Sequence, residues 1–186
     1  MHHDEDLLDQ LTADHRALLV HFSELSGLPT GDPRRKELAD LVTDRLVRHT
    51  RAEESHLYPL VRDRLPDGPA VAERERADHR AVEALLGELR LTHVTSPHFD
   101  RLVARLTEEV TRHAGDEEAR LFPAVRAVTT DAELHTLAAL AHATKQSARG
   151  RPRHQPPTER PADHLPPPER SLTERMRDFL IPGGPH

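Results

Sequence analysis

Cysteine is absent from this chain, which excludes disulfides and thiolate metal sites and makes a reducing compartment, the cytoplasm, the natural location. No apolar run approaches the length of a membrane span, and the start, Met-His-His-Asp-Glu-Asp, is acidic where a signal peptide needs basic residues. An excess of positive charge is also lacking. Lys and Arg number 26 against 32 Asp and Glu, which argues against nucleic acid as the main partner. No segment alternates with the period of a strand, and no Ser-His-Asp set, glycine-rich phosphate loop or nucleotide fingerprint stands out.

What is present is helical periodicity. Leu8, Leu11, His15, Leu18, Phe22 and Leu25 recur at three- and four-residue steps, so residues 4–26 form one amphipathic helix with His15 in its apolar stripe. Turn residues at 27–33 end it. A second helix is expected over 34–63, with Val42, Leu46, His49, Glu53, Leu57 and Leu60 inward. The third covers about 70–93, with His79, Val82, Leu86, Leu89 and His93 in register, and the fourth about 97–127. Pro97 suits a first helical turn, and Pro59 and Pro123 fall near helix ends, where a kink or stop is tolerable. Four long helices with short connections imply an all-α, antiparallel up-down four-helix bundle. A short fifth helix is expected at 131–144, with Leu134, Leu137 and Leu140 on its repeat.

The chain therefore divides into a body, residues 1–144, and a basic, proline-rich tail, 145–186, which carries nine of the 16 prolines. The tail cannot form a core and is expected to be largely disordered, apart from a small amphipathic helix near 171–180.

The most informative feature is an internal repeat. Ala13-Asp14-His15-Arg16-Ala17 returns as Ala77-Asp78-His79-Arg80-Ala81. The block from Arg48-His49 through Glu53-Glu54 to Pro59-x-Val61-Arg62 returns from Arg112-His113 through Glu117-Glu118 to Pro123-x-Val125-Arg126. Each match lies 64 positions from its partner. A duplicated helical hairpin folded on itself brings His15, His49, Glu53, His79, His113 and Glu117 to one centre. A single His-x3-Glu is usually a surface pair. Here it occurs twice in register on an apolar stripe, where a charged glutamate costs several kcal/mol unless paired or bound to metal. Four imidazoles and two carboxylates without thiolate describe a pair of ions of iron, manganese or zinc, and carboxylates shared between two ions suit iron best.

His15, the His49-x3-Glu53-Glu54-x3-Tyr58-Pro59 block, His79 and the His113-x3-Glu117-Glu118-x3-Phe122-Pro123 block resemble the hemerythrin-like HHE cation-binding domain over about residues 4–144, with an end similar to actinobacterial members. The resemblance implies a non-haem site with two iron ions, carboxylate- and oxo-bridged, with those six residues as ligands and Glu53 and Glu117 bridging. It departs from the oxygen carriers, whose third helix carries His-x3-His where Glu83 follows His79 here. Those carriers also have an aspartate five residues after the last histidine, where Glu118 stands. Six ligands and a bridging oxygen leave about one open position on each ion, which favours chemistry on oxygen, peroxide or nitric oxide, and the resemblance to members of mycobacterial type implies catalase-like peroxide decomposition among these.

Two readings stay open: a di-iron protein that binds or turns over such a small molecule, and an oxygen or iron sensor or metal-binding module without turnover. The second would use the tail as a protein-docking element, since its charge of +3 faces a body of −9. Tyr58 is read as a packing residue, Glu83 as a solvated or outer acid, and His56 as peripheral. Glu54 and Glu118, about 140° round the helix from the preceding histidine, should face neighbouring helices or solvent.

Overall fold

The computed structural model describes residues 5–147, and these form helices without any strand. The expected helix at 171–180 and the tail beyond 147 lie outside the described residues. The first rod is α1 (Leu7–Gly27). Its N-terminus is fixed by a reciprocal cap, in which the Asp6 carboxylate accepts from the backbone N–H groups of Leu8 and Asp9 and the Asp9 side chain reaches back to Asp6.

The second rod is continuous but changes pitch. α2 (Arg34–Ala52) runs into a π-helical turn over Glu53–Leu57 and then α3 (Tyr58–Arg64). The third rod is α4 (Gly68–Leu91), and the fourth repeats the second: α5 (Pro97–Asp116), a π-turn over Glu117–Leu121, and α6 (Phe122–Ala127). In both rods the wide turn closes with a five-residue step, from the N–H of Tyr58 to the carbonyl of Glu53 and from Phe122 to Glu117. Pro59 and Pro123, which have no N–H to give, come directly after these steps, so they neither stop the rod nor break a ladder bond. The i, i+4 relation from His49 to Glu53 lies before the wide turn and keeps ordinary α geometry.

Two local details fix the hairpin joining the second and third rods. Asp67 takes a left-handed backbone (φ 55°), and a Cβ on Gly68 would stand 2.3 Å from the Val61 carbonyl oxygen, so only glycine fits there. The third rod stops at Leu91, two residues short of expectation, with Thr92 at its end. His93 is consequently exposed and bonds Thr95 rather than facing inward.

Rods one and four, and rods three and four, pack side by side, as do one with two and two with three, closing an antiparallel four-helix ring. α7 (Asp131–Ser147) then lies across α1, α2 and the first π-turn. It is three residues longer than the sequence pattern suggested and takes in Lys145, counted above with the tail. Its buried face is Leu134, Ala138 and Ala141, and Leu140 is half exposed, because the two alanines allow a closer approach than a leucine stripe would.

The core has two apolar clusters. One holds Leu18, Phe22, Val42, Leu46, Leu86, Phe99 and Leu106, and the other Leu7, Leu11, Leu57, Val61, Phe122, Val125 and Leu134. Along α1 the chain crosses from the second cluster to the first at His15, and along rod two it crosses back at His49 and Glu53. A buried polar layer therefore separates two dry halves.

Candidate metal centre

All six side chains singled out by the repeat lie in that layer, and Glu53 and Glu117 are fully buried. Helical spacing alone sets this up: each His and Glu replaces a core residue on its apolar stripe, so burying the stripe buries the polar atoms. The four imidazoles turn Nε2 inward. Glu53 spans the layer, with Oε1 at 3.0 Å from His49 Nε2 and Oε2 at 3.2 Å from His79 Nε2. Glu117 Oε2 stands 3.4 Å from His15 Nε2 and 3.7 Å from His113 Nε2. Each carboxylate thus touches one histidine from each half of the repeat.

Acids hold the outer nitrogens of His15, His49 and His79, whereas His113 Nδ1 has two carboxylates nearby but no hydrogen bond. His15 Nδ1 donates to Glu118 at 2.8 Å, and its repeat counterpart His79 Nδ1 meets Glu54 at 3.2 Å. His49 Nδ1 lies 3.5 Å from Asp14, and its counterpart His113 lies 3.7 Å from Asp78 and 3.4 Å from Glu75. A carboxylate on Nδ1–H fixes the tautomer and leaves the Nε2 lone pair facing the centre. Glu54 and Glu118 accordingly face neighbouring helices, where each anchors a histidine of the opposite half. Asp14 and Asp78 sit in the repeated Ala-Asp-His motif, so their recurrence was the signal that could have found them. Glu75 had no such signal, because its counterpart in the repeat is Leu11.

Tyr58 does more than pack. Its hydroxyl donates to Glu117 Oε1 at 3.2 Å and lies 3.0 Å from His79 Nε2. Burial and the Glu53 and Glu117 charges push this phenol well above its ordinary range, so it keeps its proton. The counterpart, Phe122, stacks on His15 at 5.9 Å between centroids, so the two halves differ chemically. His56 is peripheral, bonded to Thr144 of α7. Glu83, one turn beyond His79, is partly buried and belongs to none of the donor groups that converge.

Electrostatically the layer calls for cations. Burial alone would lower the His15 and His79 pKa values, but Glu117 and Glu53 at His15, and Glu53 and Glu54 at His79, raise each to about 10. Burial would raise Glu53, yet His49, His15 and His79 hold it well below the ordinary carboxylate range. Burial and the facing Glu53 charge push Glu117 up, and burial lowers His113. The raised basicity of His15 and His79 marks a place where positive charge is favoured. Several inward atoms (His15 Nε2, His49 Nε2, both Glu53 oxygens and Glu117 Oε2) are buried without a geometrically sound hydrogen bond. Unsatisfied buried donors and acceptors of this kind are costly in a core and are the atoms a bound cation would use. With their neighbours they form groups able to grip an ion, His15–His49–Glu53–Glu117, Glu53–His79–His113 and Glu75–His113–Glu117, and this nitrogen and carboxylate donor set fits divalent or trivalent cations.

The family described as hemerythrin HHE cation binding domain matches residues 6–147. A crystal structure of a hemerythrin HHE cation binding domain-containing protein from Mycobacterium kansasii superposes with a TM-score of 0.69 at 25% identity, covering 78% of this chain and 88% of that one. A DNA nickase of Nostoc sp. is 30% identical over 125 residues, 66% of this chain, and an uncharacterized hemerythrin-like protein of Schizosaccharomyces pombe is 25% identical over 116 residues, 62% of this chain. The matched segments span 34% and 57% of those two relatives.

Proposed function

The chain belongs to the hemerythrin HHE cation-binding domain family, and from that premise we propose that it holds two iron ions that bind or react with oxygen, peroxide or nitric oxide. The observation that carries this reading is the sharing of Glu53 and Glu117 between both halves of the repeat. His15 and His49 would serve one ion, His79 and His113 the other, with the two glutamates bridging. When bound, such a pair supplies redox chemistry and Lewis acidity toward a small ligand. The chain's own residues do the rest. Glu118, Asp14 and Glu54 orient three of the rings, Asp78 and Glu75 lie beside the fourth, the two apolar clusters exclude water, and Tyr58 holds a proton at its hydroxyl beside Glu117. The acidic balance supports a small-molecule partner over nucleic acid, and the nicking activity of the Nostoc relative is not carried over.

Elemental analysis of the purified protein tests the reading. About two irons per chain are expected, with visible absorption that changes on adding peroxide or nitric oxide. Retention of zinc alone, or iron at two per chain with no spectral response to any of the three ligands, overturns it.

A second reading, a sensor without turnover, is favoured by one contact. Lys145 of α7 pairs with Asp14, which in turn holds His49, so the fifth helix touches the metal layer through a single carboxylate. Removing residues 148–186, which begin after α7, separates the two: a catalyst keeps its peroxide rate, whereas a tail-dependent sensor loses partner binding. On either reading no described helix is long and apolar enough to cross a membrane.

A further inference from the structure

A cavity of about 140 Å³ opens between α1, α2 and α7, behind the outer face of His49. Its walls carry Arg45 and Arg48 from α2 and His142 and Lys145 from α7, with Asp14 beside His49 at the back. Within a chain of net charge −6 this concentration of cations stands out. Two of them are already neutralised: Lys145 pairs with Asp14, and Arg48 with Asp44 at 2.6 Å. Arg45 adds a further positive charge, and its Nε is buried with no hydrogen-bond partner, an arrangement that leaves a charged donor unsatisfied.

The other half of the duplication shows what neutralisation would look like. Arg45 corresponds to Glu109 and Arg48 to Arg112, and there Arg112 bonds Glu109 directly at 3.1 Å. In the first half the acid is replaced by a second arginine, and α7 closes over it with a lysine. In the first half Arg48 pairs with Asp44 instead, so that Arg45 has no such partner and its guanidinium stands with Arg48 and Lys145 around an open volume.

We infer that this cavity is a binding site for a small dianionic oxyanion, of the phosphate or sulfate class, gripped by Arg45 and Arg48 from one wall and Lys145 from the other. Guanidinium groups on one helix face present paired N–H donors suited to the oxygens of such an ion, and the ammonium adds a point charge opposite. The volume, below that of ordinary ligand pockets, admits a small inorganic ion and is too small for a nucleotide. The site does not depend on which metal the neighbouring layer holds.

The test is calorimetric titration of the full-length, metal-loaded protein with sulfate, at ionic strength held constant by chloride. Sulfate is a dianion at neutral pH. Saturable binding of one sulfate per chain is expected, and Arg45→Met should weaken it at least tenfold with helicity and metal content unchanged. Arg105→Met, the same charge change at an exposed position on α5, should leave it unaltered. Lys145→Met reads the opposite wall and decides the matter if the Arg45 variant does not fold. Acetate should bind at least tenfold more weakly than sulfate. Absence of saturable binding, equal binding by wild type and both cavity variants, or acetate binding as tightly as sulfate would overturn the proposal.

Discussion

Replacing Glu53 by Ala removes the one carboxylate whose two oxygens face opposite halves of the layer. Oε1 is 3.0 Å from His49 Nε2 and 3.8 Å from His15 Nε2, and Oε2 is 3.2 Å from His79 Nε2. Two consequences follow, one for the metal-free and one for the loaded protein. Without metal, His49 and His79 lose their main counter-charge and His15 loses one of its two inward carboxylates. Removing one member of such a buried pair typically costs about 3–5 kcal/mol. For a domain of this size each kcal/mol moves Tm by roughly 2–4 °C, so a fall of roughly 6–20 °C is expected on thermal denaturation followed by circular dichroism. On the proposed two-ion reading, both ions would lose a shared ligand, so metal per chain should fall from about two toward zero. Glu117→Ala should behave alike, since its Oε2 also reaches histidines of both halves. The reasoning is refuted if Glu53→Ala keeps two metals at wild-type affinity, or if Glu118→Ala empties the layer while Glu117→Ala does not.

Glu54→Ala and Glu118→Ala remove only the anchors of His79 and His15, and should lower metal affinity by about 10–100-fold without emptying the site, measurable by competition with a chelator. The metal-free fold should lose stability as pH rises. His15 and His79 titrate near 10 when folded against 6.5 as the ordinary value, so their contribution is complete below about 6.5 and disappears on passing 10. Metal loading should show the opposite sign, because cations compete with those protons, and urea melts from pH 6 to 10 with and without metal would reveal it. Tyr58→Phe deletes the donor to Glu117 and should cost about 1–3 kcal/mol in a denaturant melt while leaving two metals bound. Gly68→Ala drives a methyl group into the Val61 carbonyl and should destabilise the protein by about 1–3 kcal/mol, with metal affinity unchanged.

The bundle and the inward residues were legible in the sequence because both rest on periodicity. A His or Glu on an apolar stripe must be buried when that stripe is buried, and the 64-residue repeat then fixes which residues face one another. His15, His49, Glu53, His79, His113 and Glu117 need no more than helix geometry and a closed ring of four rods to converge. The orientation of each ring was a different matter. It depends on Nδ1 partners that come from other helices, Glu118 for His15 across 103 residues and Glu54 for His79 across 25, and no local pattern encodes such a crossing. The π-turns at Glu53 and Glu117 likewise depend on accommodating Pro59 and Pro123 within unbroken rods, where propensity alone suggests an end. Tyr58 became a donor to Glu117 because rods two and four are adjacent to the same layer. Only packing decided that α7 covers the first half of the duplication and sets Lys145 on Asp14, for the leucine spacing of that helix pointed to a face that includes the half-exposed Leu140. Periodicity fixes which side of a helix turns inward, while contacts between helices distant in sequence fix what each inward atom meets.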